Sequence, residues 1–123
     1  MPLVRKADAP IFNLHGITVV GLASPKRGST ETCVWRLTVP PASSGVPHKV
    51  TREEIFTGLA GHATVTIDDV EHTLEAGDAI IVPPNTLFSL ANPSAEPFEA
   101  IVSFPVGGKA VLDGPEFTPP WAE

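Results

Sequence analysis

The sequence predicts an all-β fold, a sandwich or a small barrel. Three observations carry this. Several runs alternate apolar and polar residues with period two, the signature of a half-buried strand. Fourteen Pro and ten Gly punctuate 123 residues, so elements must be short. No segment carries a helical apolar stripe.

The chain is expected to fold as a single domain over residues 1–123. Residues 1–10, MPLVRKADAP, read as a loose arm, with Pro2 and Pro10 blocking regular structure. Ile11 to Leu14 and Ile17 to Leu22 read as strands flanking His15-Gly16, and SPKRGST (24–30) as a polar turn. Cys33, Trp35, Leu37 and Val39 alternate with Thr32, Val34, Arg36 and Thr38, and Pro40-Pro41 stops that strand.

After Ser43-Ser44-Gly45 comes a short strand through His48 and Val50, then another from Glu54 to Leu59, closed by Gly61. Ala63, Val65 and Ile67 mark the clearest strand. Asp68-Asp69 is its hairpin tip and Val70 to Leu74 its return. Ala79 to Val82, Thr86 to Ala91 and Pro97 to Phe104 complete the strands, separated by Pro83-Pro84-Asn85 and Asn92-Pro93-Ser94. The tail from Gly107 to Glu123 reads as irregular and ends in Pro119-Pro120-Trp121.

Composition narrows the function. Apolar residues make up 42 % of the chain, enough for a core. A net charge of −6 with scattered Lys and Arg argues against a nucleic-acid partner. No apolar run reaches the roughly 18 residues of a membrane span. The first ten residues lack the apolar core of a signal peptide, so no membrane partner and a cytoplasmic location are expected. Cys33 is alone, which forbids an internal disulfide and fits a reducing compartment. Its strand-like context reads as a small buried residue rather than a nucleophile. The sequence holds no phosphate-cradling glycine motif, HExxH or GxSxG.

Two stretches carry the chemistry, GVPHKVTREEIFTGLAG (45–61) and GDAIIVPPNTLFSLAN (77–92). Their order resembles the cupin superfamily over about residues 31–105. That resemblance implies a cupin-type jelly-roll β-barrel. The first cupin motif runs His-x-His, three or four residues, Glu, six residues, Gly. His48, Glu54 and Gly61 match it, with Val50 in place of the second His. The second motif runs Gly, five residues, Pro-x-Gly, two residues, His, three residues, Asn. Gly77, Pro83 and Asn92 match it, with Asn85 in place of the second Gly and Phe88 in place of the His. The chain also resembles a group of small bacterial cupins with a PPW-type tail. The resemblance implies a homodimer joined through sheet edges, with the N-terminal arm crossing to the partner. An open edge needs covering in any case.

In a metal-binding cupin this face supplies three imidazoles and a carboxylate, a set suited to Fe, Mn, Ni or Zn. Here His48 and Glu54 are the two candidate ligands left, and two ligands rarely hold a divalent ion tightly. No metal cofactor is therefore expected, beyond weak binding of a divalent ion by His48 and Glu54. The alternative is a metal-free pair. His48, Val50, Glu54 and Phe56 share parity along what reads as continuous strand, so they could point to one face. His48 and Glu54 could then touch, a carboxylate favouring imidazolium and burial opposing it. They could act as general acid and base on a small molecule in a mostly apolar pocket lined by Trp35, Val50, Phe56, Phe88 and Phe104.

Three functions follow: a metal-independent isomerase, cyclase or lyase; a metal-dependent oxygenase or isomerase with an incomplete ligand set; or a non-catalytic binding or sensing module. In each case the partner is a small organic molecule. Of the other candidates, His62 and His72 fall on polar parity, His15 reads as a loop residue, and Glu53 lies opposite Glu54 in parity. Arg36 reads as a surface residue able to pair with an acid across the sheet.

Overall fold

The computed structural model describes residues 3–123; Met1 and Pro2, the start of the expected arm, lie outside the described residues. Eleven strands are formed among the described residues: β1 (Ile11–Leu14), β2 (Ile17–Ala23), β3 (Thr32–Val39), β4 (Lys49–Val50), β5 (Glu54–Ala60), β6 (His62–Ile67), β7 (Val70–Glu75), β8 (Ala79–Val82), β9 (Phe88–Ala91), β10 (Phe98–Pro105) and β11 (Ala110–Val111). Six of them make one sheet, in the order β1-β2-β3-β10-β5-β8. Strands β7-β6-β9 and β11-β4 pair separately, and every pairing is antiparallel. The two smaller ladders are joined by backbone. His48 and Phe88 exchange N–H···O bonds of 2.9 Å in both directions, and Ser43 and Asn92 do so at 2.9 and 2.8 Å.

Period two works as the sequence suggests. On β3 the buried residues are Cys33, Trp35, Leu37 and Val39; on β10 they are Phe98, Ala100, Val102 and Phe104. Val102 lies in register between Trp35 of β3 and Phe56 of β5, so three central strands turn their apolar sides to one interior. Ala63 and Val65 of β6 meet them from the facing sheet, in one cluster of buried residues. The result is an all-β barrel of two facing sheets, the jelly-roll arrangement.

Turn chemistry sets the register. Asp68 and Asp69 have φ of +47° and +65°, so both central residues of the β6–β7 hairpin sit in the left-handed region its twist requires. Gly61, between β5 and β6, has φ of +72°, and a Cβ there would collide with the Pro97 carbonyl.

Three expectations change. The stretch from His48 to Phe56 is not one continuous strand. It bends at Thr51-Arg52, and Thr51 exchanges hydrogen bonds of 2.9 Å with Lys109 as the chain crosses between sheets. Val50 and Glu54 are both buried nonetheless. The strand expected from Thr86 starts at Phe88, where pairing with Ile67 begins. The tail expected to be irregular pairs Ala110–Val111 with β4 and bridges Ala110 to Phe117. It ends in a 3-10 turn, Pro120–Ala122, that puts Trp121 edge-to-face with Phe12 and Trp35. A two-residue strand leaves no periodicity to read, and a 3-10 turn has none of period two.

Candidate functional site

The facing sheets enclose a cavity of about 240 Å3. His48 and Glu54 both line it, as do Trp35, Val50, Phe56, Phe88 and Phe104. The elements that bring them together differ in kind. Trp35 and Phe104 are set by the alternation of β3 and β10, and Glu54 and Phe56 by that of β5. His48 is placed by its backbone bridge to Phe88, which stacks the two rings with centroids 4.4 Å apart at 49°. Phe88 in turn meets Phe56 edge-on at 6.0 Å, and Trp35 meets Phe104 likewise at 6.0 Å.

His48 and Glu54 do not bond to each other. The Nδ1 of His48 is 2.8 Å from the Val46 carbonyl oxygen. A carbonyl only accepts, so Nδ1 carries the hydrogen and the neutral ring keeps its lone pair on Nε2. Burial lowers the His48 pKa, opposed in part by the bond to Val46. Glu54 is only 6 % exposed, and its Oε1 is buried with no hydrogen-bond partner. With nothing to compensate the charge, burial pushes its pKa up to about 8. At neutral pH the pair is thus a neutral imidazole and a protonated carboxyl. The contact that their spacing allows does not form: His48 Nδ1 bonds the Val46 carbonyl instead, and burial keeps both groups neutral.

A metal does not fit this donor set. Val50 and Phe88, at 3 % and 2 % exposure, occupy cavity positions that cupin ligands would take, and neither offers a lone pair. Among the described residues no group of three or more His, Cys, Asp or Glu converges on one point.

The remaining sequence candidates lie elsewhere. His62, His72 and Glu53 are exposed. Cys33 is buried, its thiol 3.6 Å from the Ala122 carbonyl oxygen. Arg36 pairs across the sheet with Glu99 at 2.8 Å on the outer face. His15, with φ of +50° in the β1–β2 turn, borders the cavity with an exposed side chain.

The sequence reading missed part of the wall. Leu14 and Ile17, Ser43 and Ser44, and Phe117, Pro119 and Trp121 also line the cavity. The one signal pointing to the tail was a Trp after two prolines, a large apolar ring in need of a partner. Its indole Nε1 is buried and has no hydrogen-bond partner.

A family model described as the cupin domain matches residues 35–104, more than half of the chain. The chain belongs to the cupin family. Solved structures agree on the fold. The polyketide cyclase RemF from Streptomyces resistomycificus superposes with a TM-score of 0.80 at 17 % identity, covering 97 % of this chain and 89 % of that one. A predicted oxalate decarboxylase from Thermotoga maritima gives 0.70 at 18 % identity, covering 91 % and 99 %. A sugar phosphate isomerase of the cupin superfamily from Silicibacter pomeroyi gives 0.63 at 19 %, covering 80 % and 67 %. No curated protein matches the chain. At these identities the likeness carries the fold and leaves the chemistry to this cupin's own residues. No helix among its described residues is long and apolar enough to cross a membrane.

Proposed function

We propose that this cupin binds a small organic molecule in its barrel and moves a proton on it without a metal, Glu54 acting as general acid and His48 as general base. One observation carries the reading. A buried carboxyl with no partner, protonated at neutral pH, lines the same cavity as a neutral imidazole whose Nε2 is free. Environments that push two pKa values apart in this sense assign acid and base.

For a bound carbonyl compound the step balances within the pair. His48 Nε2 removes the proton on the carbon next to the carbonyl. The C–H electron pair becomes the C=C bond of an enol, and the oxygen takes the proton of Glu54. Delivery of the His48 proton to another carbon, as Glu54 takes back the enol proton, completes an isomerisation; departure of a group β to the carbonyl with its bonding pair and the His48 proton, as Glu54 takes back the enol proton, completes an elimination.

The test uses a panel of small carbonyl compounds in D2O at pH 7, with NMR reading deuterium uptake next to the carbonyl. Enzyme-dependent exchange is expected for at least one member. His48→Ala and Glu54→Gln should each lower its rate about 10²- to 10⁴-fold, the range for a general acid or base. A bell-shaped profile between the lowered pKa of His48 and about 8 should accompany it. A member that binds yet shows no exchange above buffer would leave a binding or sensing module as the better reading.

We propose also that the protein is a homodimer, with the N-terminal arm crossing to the partner. The support is two open sheet edges with exposed aliphatics, Ile11 of β1 at 65 % and Ile81 of β8 at 57 %. Light scattering should give twice the 12.9 kDa of one chain. A mass of 12.9 kDa would refute it.

A further inference from the structure

What the cavity accepts follows from the charges and donors in its wall. No Lys or Arg lines it, and Glu54, His48 and His15 are its titratable side chains. A carboxylate or phosphate entering it would lose water and meet no fixed positive charge, which is strongly unfavourable. The cupin therefore does not suit the anionic compounds named for two of its structural neighbours, oxalate and a sugar phosphate.

An organic cation is the rival, because aromatic faces attract one. Two features count against it. The rings meet each other in edge-to-face pairs, Trp35 with Phe104 at 71°, Trp35 with Trp121 at 60° and Phe56 with Phe88 at 61°. Each such pair covers a face with the other ring's edge instead of leaving a box of open faces. The second feature is Glu54, which lines the cavity and, held protonated by burial, presents a hydroxyl donor in place of a charge. A donor suits an acceptor and repels a cation. The volume sets the scale: about 240 Å3 lies below the roughly 300–1,000 Å3 of sites for drug-sized ligands.

We infer that the cavity of this cupin takes an uncharged, flat, carbonyl-bearing molecule of one or two rings, its body against the aromatic wall and its oxygen toward Glu54. The inference rests on the proton-transfer reading of the same site, and it narrows the substrate to a class. Anions fail for want of a counter-charge. Cations fail because the rings cover one another's faces and the protonated Glu54 offers no charge, and uncharged hydrocarbons leave the Glu54 carboxyl unsatisfied.

Calorimetry with three probes of one skeleton separates these classes: 2-tetralone, the ammonium of 2-aminotetralin, and tetralin-2-carboxylate, each at pH 7. The ketone should bind at least about tenfold more tightly than either ion, a difference of about 1.4 kcal/mol. Glu54→Leu, which keeps the bulk and removes the donor, should weaken the ketone about tenfold. Glu54→Gln, which keeps an N–H donor, should stay within about threefold of the unmodified protein. The probe ranking on the unmodified protein stands even if a variant fails to fold. Equal or tighter binding of the ammonium or the carboxylate would overturn the assignment, and so would binding of none of the three. Ketone preference without deuterium exchange would overturn the proton-transfer reading and leave the ligand class standing.

Discussion

Two buried polar side chains, Asn92 and Glu54, lie in different regions of the barrel and are treated oppositely. Asn92, fully buried at the turn after β9, is saturated. Its Nδ2 donates to the carbonyls of Val39 at 3.2 Å and Glu96 at 2.7 Å, and its Oδ1 accepts from the Ser94 amide at 3.1 Å and hydroxyl at 2.7 Å. Glu54, in the cavity, has an oxygen with no partner at all. Both residues match cupin motif positions, so the motif alone does not separate them. Satisfaction does. A buried polar group that bonds its own chain holds the fold, and one left without a partner is kept at a penalty the fold alone does not explain.

The sharpest break of that comparison is through pH. Between the ordinary carboxyl value of 4.5 and about 8, the folded protein holds a proton on Glu54 that the unfolded chain has released. The folded state then binds more protons, so stability falls as pH rises through this window and is level above it. The gap corresponds to about 5 kcal/mol at 1.36 kcal/mol per pH unit. Glu54→Gln removes this dependence. Denaturant unfolding at pH 5 and pH 9 should show the variant gaining on the unmodified protein by up to about 4 kcal/mol at the higher pH, the part of the dependence below pH 5 lying outside the comparison. A constant difference across that range would mean Glu54 is ionised and solvated in the native barrel.

Asn92 gives the next largest effect, with the opposite pattern. Asn92→Ala removes four hydrogen bonds and takes a donor from the Val39 carbonyl, while the Glu96 carbonyl keeps the Ser94 hydroxyl at 3.0 Å. The loss should be about 2–4 kcal/mol, unchanged between pH 5 and pH 9, because no titrating group is involved. Asn92 does not line the cavity, so affinity for 2-tetralone should be unaltered in the folded variant. A changed affinity would show that the two regions are coupled.

How much of this was legible follows from what each feature depends on. The alternation of Cys33, Trp35, Leu37 and Val39 is local, so β3 was read from the sequence, and the same holds for β6 and β10. The pairing of β4 with β11 joins residues about 60 apart, and nothing local encodes it. The large rings on strands, Trp35, Phe56, Phe88 and Phe104, were legible as cavity residues, whereas smaller strand residues such as Val19, Leu37 and Leu90 line it without any local sign of doing so. Trp121 and the Ser43-Ser44 turn were not legible, since their place in the wall depends on loops closing over the barrel. The isolation of Glu54 was invisible for a related reason. The spacing of His48 and Glu54 allows a contact, but the backbone turn at Val46 claims the imidazole first.

The smallest effect tests whether the motif positions converge although two of them carry no ligand. Val50→His together with Phe88→His would add two imidazoles to His48 and Glu54. Phe88 already opposes His48 across a backbone bridge, and Val50 and Glu54 border the same cavity. In the apo form each substitution replaces a packed apolar group with a polar ring, and should cost about 1–3 kcal/mol. A metal bound only by the folded state returns stability by mass action, about 2.7 kcal/mol at a hundredfold excess over Kd. It must also displace the proton of Glu54, which in the unmodified protein has nothing to drive it off. The double variant should therefore melt lower than the unmodified protein and rise by several degrees on adding Zn(II), Ni(II) or Co(II), while the unmodified protein responds little. A variant that folds without any metal-dependent rise would mean that the four side chains do not aim at one point. The partition between a structural Asn92 and a chemical Glu54 would then rest on hydrogen bonding alone, without support from the motif.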